Sequence, residues 1–427
     1  MARILVIQMA KLGDFIQSTP FLTALRSSWP GRTITLAAGE AAVLEAARLS
    51  FLADEILALD PGLKGPDPKG EFEAVYNLNS ASPAAELAAR VRAGRRFGPL
   101  AEGGFLRFTP VQEFLMGLMA ENRRLGRFNL VDVWLALLPG AGPRPLYWPK
   151  PAGAEGGAGP RIGLHLGARH HLRRWPAENF ARLAQALSPA EFILTGSKSE
   201  RALGAKFERL GPPARNLMGA TDLSELSRAL AGLDLLIAAD TGVLHLAAAL
   251  GTPTLALFFG PAYGPETGPY GPGHIIYQAE APCAPCREGA CRLRQCLALP
   301  DPDQAARLAA ALLRGWQELP ITGLPPGHRV WRTALDSFGQ RLRPLGRPPL
   351  TPEEALALAL TWVGQTVFRP KFEPPSLTEL AAPYAPPAGG LVLEAEIFRR
   401  LAGRLAPEIR ARLARGLDVL GLKIAGS

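Results

Sequence analysis

Short apolar runs alternate regularly with longer amphipathic segments along the first part of the chain. The strand-like runs and the segments with helical spacing come in the order Arg3–Gln8, Ile16–Leu25, Thr33–Ala37, Glu40–Ala53, Ala74–Leu78 and Ala84–Ala93. Strands that alternate with helices of about 10–15 residues are typical of a parallel sheet with crossover helices. The pattern therefore predicts an α/β domain of Rossmann-like type over residues 1–150.

A stretch rich in Pro, Gly and Ala, residues 149–160, interrupts the alternation and is predicted to be a linker. The alternation then resumes, with the elements Arg161–Leu166, Ala177–Leu187, Glu191–Leu194, Glu200–Leu210, Leu223–Leu230, Leu233–Ala238, Val243–Leu250 and Thr254–Phe259. We expect a second Rossmann-like domain over residues 161–320, facing the first across a cleft. Open α/β sheets bind ligands beyond the carboxyl ends of their strands, so two facing edges favour a two-substrate enzyme.

The pattern changes beyond about Pro320, where strand-like runs become scarce and Pro-rich joints separate segments with helical spacing. We expect residues 326–427 to form a helical C-terminal extension. Leu391–Leu405 and Pro407–Leu420 have the pattern of amphipathic helices with arginines on the polar face. Such a pair either packs on the protein or lies on an anionic membrane surface, and both interpretations stay open.

Composition narrows the class of protein. Of 427 residues 48% are hydrophobic and only 20% are charged, which excludes disorder for most of the chain. The formal net charge of +9 favours anionic partners such as nucleotide phosphates, nucleic acid or a membrane surface. The N-terminus does not have the pattern of a signal peptide, and no apolar run is long enough for a transmembrane helix. We therefore expect a cytoplasmic protein, peripheral at most to a membrane.

The first candidate site is the turn after the first predicted strand, Met9–Asp14. A strand-to-helix turn that contains Gly13 exposes backbone N–H groups and a helix N-terminus, which favour anions. A carboxylate at Asp14 would point into the cleft and can accept a proton from a substrate hydroxyl. The alternative is that Asp14 only caps the following helix.

A second candidate follows the strand that begins the second domain. His165–Ala168 is a strand end with a small-residue turn, and Arg173 and Arg174 come shortly after it. Arginine binds phosphate through two parallel hydrogen bonds, so this block is a candidate phosphate clamp. The alternative is a solvated loop anchored by Trp175.

A third turn, Thr195–Glu200, again joins a strand to a helix. Its backbone groups at Thr195 and Gly196 can hold a nucleotide base or ribose, and Glu200 can bind ribose hydroxyls. Ser197 and Glu200 also have the spacing of a capping box, which explains the turn almost as well.

The fourth candidate, Asp240–Pro253, is the most specific. It lies at a strand end and runs into a helix, so Thr241, Gly242 and Val243 would offer N–H groups and a hydroxyl to a diphosphate. Asp240 and His245 supply a carboxylate and an imidazole on either side of the helix start. The alternative is a capped helix with a histidine in the core.

Three of these segments together closely resemble the ADP-heptose:lipopolysaccharide heptosyltransferase family, in order and spacing, over roughly residues 1–320. The segments that carry the resemblance are Lys11-Leu12-Gly13-Asp14, Arg173-Arg174-Trp175-Pro176, and Asp240-Thr241-Gly242 with His245 and Ala247-Ala248-Ala249. The resemblance implies the GT-B architecture and an inverting transfer of heptose from ADP-heptose to a sugar hydroxyl of the lipopolysaccharide core. It also implies that Asp14 is the general base and that Asp240, Thr241, Gly242 and His245 bind the donor. Arg173 falls where the family often has a lysine that neutralises the diphosphate, and no catalytic metal is required.

Two other functions remain open from the sequence. The acceptor can be a protein hydroxyl or another glycan, since the first domain matches the family little beyond its first motif. A non-catalytic nucleic-acid-binding protein would also be basic and carry a zinc-knuckle-like cluster. Nucleic acid is the less favoured partner, because no aromatic residues that would stack with bases are interleaved with that cluster.

Four cysteines form that cluster, with the spacing Cys283-x2-Cys286-x4-Cys291-x4-Cys296. Four thiolates complete a tetrahedral zinc or iron site, so we expect a structural metal ion that braces the loop beyond Phe259. The alternative is a set of free or oxidisable thiols that only order this loop.

Overall fold

The computed structural model describes most of the chain, with gaps in several loops and in the C-terminal part. The described residues are 2–60, 67–103, 105–107, 123–153, 159–286, 291, 294–315, 324, 327–346, 348, 350–368, 376–384, 391–393, 407–420 and 422–424. Of the predicted linker, residues 154–158 lie outside this description, and the residues on either side belong to no helix or strand.

The N-terminal half is built on a sheet of five parallel strands in the order β3-β2-β1-β4-β5. Its elements are β1 (Arg3–Ile7), α1 (Leu12–Ser28), β2 (Thr33–Ala38), α2 (Ala41–Ser50), β3 (Glu55–Ala58), β4 (Phe72–Asn77), α3 (Ser82–Arg90) and β5 (Ala93–Phe97). The short antiparallel pair β6 (Leu100–Glu102) and β7 (Phe105–Arg107) follows. Strand order reverses between β1 and β4, so the turn after β1 lies at a topological switch point.

A turn of 3-10 helix (Arg123–Leu125) and helix α4 (Leu130–Leu135) lead to the C-terminal half, which has an eight-stranded sheet in the order β10-β9-β8-β11-β12-β13-β14-β15. Its strands are β8 (Arg161–His165), β9 (Glu191–Thr195), β10 (Ala214–Asn216), β11 (Leu235–Ala239), β12 (Thr254–Phe258), β13 (Ile275–Ala279), β14 (His328–Asp336) and β15 (Gly339–Pro344). Its helices are α5 (Ala177–Ala186), α6 (Arg201–Leu210), α7 (Leu223–Ala231), α8 (Gly242–Leu250), α9 (Gly264–Thr267), α10 (Gln295–Ala298) and α11 (Pro302–Leu313), with 3-10 turns at His171–Arg173 and Lys198–Glu200. Strands β8 to β13 are parallel and have the Rossmann order, with the switch point between β8 and β11.

The two halves lie against each other through α1 and α8. Residues of both halves share one apolar cluster, in which Phe15 and Leu22 of α1 are buried together with Leu244 and Ala247 of α8. The turn after β1 and the ends of β8 and β11 therefore open onto the same space. The alternation predicted from the sequence is confirmed for both halves, and the architecture is the expected α/β fold with two facing Rossmann-like units.

The structure corrects the helical assignment of residues 326–427. Strands β14 and β15 form an antiparallel hairpin that extends the C-terminal sheet, with Val330 opposite Tyr277 of β13. The C-terminal unit therefore continues beyond residue 320, and residues 328–344 belong to it.

Arginines in the hairpin explain why the strand pattern was not apparent. They break the hydrophobic alternation, and they are tolerated in a sheet because they form ion pairs. Arg329 pairs with Glu280 at 3.0 Å, and Arg341 pairs with Asp336 at 2.5 Å. Pattern reasoning counts such positions as polar, whereas the paired side chains pack along the sheet.

The rest of the extension contains α12 (Pro352–Phe368), α13 (Leu377–Ala381) and α14 (Pro407–Val419), and strand β16 (Leu391–Leu393) pairs in parallel with β17 (Leu422–Ile424). The predicted helix over Pro407–Leu420 is confirmed. The predicted helix over Leu391–Leu405 is wrong at its start, because Leu391–Leu393 form β16. Residues 394–405 lie outside the described residues.

Helix α14 buries its apolar face against α12. Leu413 and Leu417 of α14 are buried in one cluster with Ala359 and Leu360 of α12 and with Leu125 near the 3-10 turn. This contact supports the packing interpretation for α14. Within the described part of the chain, no helix combines the length and apolarity that crossing a bilayer requires.

Candidate active site

A cavity of about 540 Å³ opens where the two halves meet. Its walls come from the turn after β1, from the ends of β8, β11 and β12, and from the 3-10 turn before α4. The lining residues are Lys11, Gly13, Asp14, Gln17, Arg123, Arg169, His170, Arg173, Asp240, Thr241, Gly242, His245, Pro261, Ala262 and Thr267. This volume lies in the range of small-molecule sites.

Two helix N-termini meet at this cavity. A Cβ added at Gly13 would lie 3.0 Å from His245 Cδ2 and 3.3 Å from the Gly242 Cα. The start of α1 and the start of α8 are thus in direct contact, and glycine at both positions allows the approach. Both N-termini present backbone N–H groups and positive helix-dipole ends, which attract an anion.

Asp14 lies in the first turn of α1, and the Lys11 amide donates a hydrogen bond to its Oδ2 at 3.1 Å. Asp14 thus caps helix α1, as the alternative predicts, and it also lines the cavity. Burial raises the pKa of Asp14 above its usual value, and the nearby Asp240 adds to this, against the lowering effects of the Lys11 amide and His245. A raised pKa makes this carboxylate a better proton acceptor.

Asp240 and Arg173 form an ion pair on the opposite wall. Arg173 Nη1 donates to Asp240 Oδ2 at 3.0 Å, and the Asp240 side chain is only 8% exposed. His245 Nε2 lies 3.7 Å from Asp240 Oδ1. Arg173 faces the cavity, as the phosphate-clamp prediction requires, whereas Arg174 bonds the Ala168 carbonyl.

Two buried polar atoms at this wall have no hydrogen-bond partner among the described residues: the hydroxyl oxygen of Thr241 and Nδ1 of His245. Unpartnered buried polar atoms are rare in folded proteins. Four cationic side chains line the cavity, Lys11, Arg123, Arg169 and Arg173, against the two carboxylates of Asp14 and Asp240. Arg123 and Arg169 are also paired with Glu266 and Glu40, so the two helix N-termini contribute much of the attraction for an anionic ligand.

The third predicted turn lies at the same sheet edge but does not line this cavity. The Thr195 hydroxyl lies 3.0 Å from Nδ1 of the buried His165, so it is engaged inside the protein. Glu200 Oε2 accepts hydrogen bonds from the Ser197 amide and hydroxyl, at 2.9 and 2.8 Å. Capping therefore accounts for Glu200 as it stands, and Gly196 lies between these groups.

Several cavity residues have no counterpart in the sequence predictions. Arg169 pairs with Glu40 of the N-terminal half at 3.5 Å, and Gln17 is a buried residue of α1. Arg123 pairs with the buried Glu266. The signal for Arg123 was its place beside Arg124, just before the apolar segment that forms α4.

The four cysteines form no disulfide bond and lie within one short stretch of the chain, residues 283–296. Cys296 is buried, Cys286 and Cys291 are half-buried, and Cys283 is exposed. Burial raises the pKa of the Cys286 and Cys296 thiols, and the neighbouring cysteines raise them further. Within the described ranges, no three His, Cys, Asp or Glu side chains gather closely enough to hold a metal ion. The metal site therefore stays a prediction.

The two facing Rossmann-like units, with a cleft between them, have the GT-B architecture. The structure is similar to that of a family 9 glycosyltransferase from Veillonella parvula, with a TM-score of 0.59 and 20% identity over 74% of this chain and 98% of the other. It is also similar to Escherichia coli ADP-heptose lipopolysaccharide heptosyltransferase II, with a TM-score of 0.55 and 21% identity over 73% and 99% of the two chains.

Sequence comparison finds a family match for one segment of the chain. The model of glycosyltransferase family 9 (heptosyltransferase) matches residues 146–297. Lipopolysaccharide heptosyltransferase 1 of Pseudomonas aeruginosa is 37% identical over 148 residues, which are 33% of this chain and 39% of that protein. Residues 146–297 therefore match glycosyltransferase family 9, and the resemblance found in the sequence is confirmed over this segment. The match spans less than half the length of this relative.

Proposed function

We propose that the protein is an inverting glycosyltransferase that transfers heptose from ADP-heptose to a sugar hydroxyl of the lipopolysaccharide core. The observation that carries the proposal is that Asp14 of one half and the Arg173–Asp240 pair of the other line one cavity. A base for the acceptor and a clamp for the donor diphosphate thus face the same space. The match of residues 146–297 to the heptosyltransferase family supports the choice of donor.

In the proposed reaction, Asp14 accepts the proton of the acceptor hydroxyl as the acceptor oxygen attacks the anomeric carbon. The bond between this carbon and the diphosphate oxygen breaks on the opposite face, and the electron pair leaves with ADP. The configuration at the anomeric carbon is therefore inverted. The bond from the Lys11 amide orients one carboxylate oxygen, and the other is available in this scheme for the proton.

Negative charge develops on the departing diphosphate. Arg173 and the N-terminus of α8 at Thr241 and Gly242 offer fixed donors and positive charge at this point. These groups stabilise the leaving group without a metal ion. The Thr241 hydroxyl and His245 Nδ1, which have no partner among the described residues, are candidates to bond the donor after a small shift.

Thr195, Gly196 and Glu200 stay in the proposal as residues for the base and ribose of the donor. They stand at and just beyond the end of β9, which lies next to β8, on the same edge of the sheet as the clamp. Binding there requires Glu200 to exchange its capping bonds for ribose hydroxyls. A Glu200→Gln variant that leaves the affinity for ADP unchanged would remove Glu200 from the site.

The test is a transfer assay with purified protein, ADP-heptose and core oligosaccharide, in which released ADP and the product are both measured. Asp14→Asn should lower the rate of transfer by about 10²- to 10⁴-fold but keep ADP binding in calorimetry. Transfer that proceeds at the wild-type rate in this variant would show that another group is the base.

The acceptor is the least constrained part of the proposal. Lys11 and Arg169 are exposed cations at the cavity, and they suit an acceptor that carries negative charge. A protein hydroxyl is the second acceptor class, and a peptide array assayed with the same donor distinguishes the two.

A binding protein without catalysis is the alternative from a different class. Thermal shift with ADP, ADP-heptose and single-stranded oligonucleotides separates the two interpretations. Stabilisation by oligonucleotides alone would contradict the enzyme proposal, since the cavity charge is then used for nucleic acid.

We also propose a structural zinc or iron ion at Cys283, Cys286, Cys291 and Cys296. Four thiols are a suitable donor set, and the loop adjoins the cavity because the Cys286 amide donates to the Gly260 carbonyl at 3.2 Å. Among the described residues these side chains do not gather closely enough to hold a metal ion, and the role proposed for the ion is structural. Metal analysis of purified protein tests this proposal.

A nucleotide-sugar donor places the proposed reaction in the cytoplasm. We expect peripheral contact with the inner membrane, because a lipid-linked acceptor is found there, and this contact stays a prediction. Cosedimentation with anionic and neutral vesicles measures it.

A further inference from the structure

One wall of the candidate active site is an irregular segment, residues 260–268, which we call the 260s wall. It follows β12 and contains only the four-residue helix α9. Pro261, Ala262 and Thr267 of this wall line the cavity. Because β12 pairs with β11, the 260s wall stands beside the start of α8, where the donor diphosphate is proposed to bind.

Arg123, which also lines the cavity, bonds this wall directly. Its Nε donates to both carboxylate oxygens of Glu266, at 3.0 and 3.1 Å, and its Nη1 donates to the Pro261 carbonyl at 2.9 Å. One guanidinium thus fixes a side chain and a backbone group of the same wall. The planar fork of arginine supports this arrangement, and the single ammonium of lysine does not.

The Arg123–Glu266 ion pair is buried at its carboxylate end. The Glu266 side chain is 4% exposed, whereas Arg123 is 27% exposed and reaches the cavity. Burial raises the pKa of Glu266 although Arg123 lowers it. A buried carboxylate of this kind depends on its partner, because an unpaired charge in the interior is costly.

The residue next to Arg123 extends the contact. Arg124 donates to the carbonyls of Ala281 and Ala284, at 3.0 and 2.9 Å, and its own carbonyl accepts from the Tyr263 hydroxyl at 3.2 Å. The single 3-10 turn that carries both arginines lies between the two halves of the chain. The shape of the 260s wall is therefore set by a segment outside the C-terminal sheet.

We infer that Arg123 and Glu266 are a positioning pair that holds the 260s wall where the donor diphosphate binds. This inference rests on the proposed function, because it assigns the wall to the donor. Neither residue reacts. Arg123 acts through Glu266 and Pro261, and its charge is already matched by the carboxylate.

A different role for Arg123 makes different predictions. If Arg123 bonded the substrate directly, removing its partner Glu266 would leave donor binding nearly intact. In the positioning role, Glu266→Gln and Arg123→Gln both loosen the wall. Both substitutions are then expected to raise the dissociation constant of ADP by about tenfold.

The experiment measures the dissociation constant of ADP by calorimetry for wild type, Arg123→Gln, Arg123→Lys, Glu266→Gln and the double variant Arg123→Gln/Glu266→Gln. The double variant removes both charges and leaves two amides, so it is expected to bind ADP more tightly than Arg123→Gln alone. Arg123→Lys is expected to rescue little. Arg182→Gln is the matched control, because Arg182 pairs with Asp303 in an exposed position away from the cavity.

Thermal unfolding of each variant shows that it is folded, and steady-state kinetics separate KM from kcat. A positioning role raises the KM for the donor in both single variants and leaves kcat near the wild-type value. Wild-type ADP affinity in Glu266→Gln, or a double variant whose loss of affinity is the product of the two single losses, would overturn the inference alone, because a pair that acts as one unit is lost only once. Absence of ADP binding in the wild type would overturn the proposed donor and this inference with it.

Discussion

Replacing Asp14 by Asn removes the proposed base and keeps the shape of the side chain. The loss of a general base lowers turnover by about 10²- to 10⁴-fold. At 1.36 kcal/mol for each factor of ten, this corresponds to about 3–5 kcal/mol of transition-state stabilisation. Released ADP, measured by chromatography at saturating donor, gives kcat directly. ADP affinity should stay close to that of the wild type.

The same substitution is expected to lower turnover without lowering the stability of the fold, so a stability measurement separates its effect on catalysis from an effect on folding. Burial raises the pKa of Asp14, so the folded state disfavours the charged form. The stability contribution of this group is present below its unfolded pKa and is lost as the pH rises through the raised folded pKa. The asparagine side chain does not ionise, so Asp14→Asn should unfold at an equal or higher temperature than the wild type at pH 8.

Asp14→Ala supplies the control for capping. Asn keeps an oxygen that can accept from the Lys11 amide, whereas Ala does not. Ala should therefore lower stability by about 0.5–1 kcal/mol relative to Asn, with the same low turnover. If Asp14→Asn kept more than a tenth of wild-type kcat while Asp14→Ala lost it, the helix cap and not the base would be the role of this residue.

Four further changes test other parts of the site and fold. Gly13→Ala would place a methyl carbon 3.0 Å from the His245 imidazole, and it should cost about 1–3 kcal/mol of stability and weaken ADP binding in calorimetry. Gly159→Ala is the control, because its methyl group meets nothing within 4 Å and should change neither quantity. Arg173→Gln should weaken ADP binding by about tenfold or more but AMP binding much less, because a charged hydrogen bond contributes about 1.5–3 kcal/mol. Burial lowers the pKa of His274 to about 4, so on acidification this histidine is protonated in the unfolded chain before it is protonated in the folded one. Through this group the free energy of unfolding, measured with urea, should fall by about 3 kcal/mol between pH 6.5 and 4, and His274→Asn should reduce that fall. Cys296→Ser should remove zinc or iron found by elemental analysis and lower the unfolding temperature, and wild-type protein without either metal would contradict the metal proposal.

The parallel sheets were predictable because their strands are buried on both faces. Runs such as Thr254–Phe259 and Leu233–Ala238 are almost continuously apolar, and the structure has strands there. The site motifs at Asp14 and Asp240 were also predictable, because the chain places polar residues directly after such strands. Strand ends in a parallel sheet lie on one edge, so their spacing in the sequence carries spatial information.

Pairing between distant residues is the part that the sequence pattern does not reveal. Glu266 has no local partner, and its ion-pair partner Arg123 is far away in the chain. The same holds for Glu354, which pairs with Arg127 and Arg329 and joins the extension to the sheet. Periodicity treats each of these arginines as a polar surface position, but each is buried or half-buried because its charge is matched.

The contact between the two helix N-termini explains why Arg173 is needed where it stands. Each N-terminus carries about half a positive charge, so the starts of α1 and α8 repel each other across Gly13 and Gly242. Asp14 and Asp240 stand at these two starts and offset the repulsion, but their charges also oppose a diphosphate. Arg173 neutralises Asp240 at 3.0 Å and restores attraction for the donor. The charges of the cavity thus balance the closeness of the two halves against the affinity for an anion, and loss of Arg173 should disturb both.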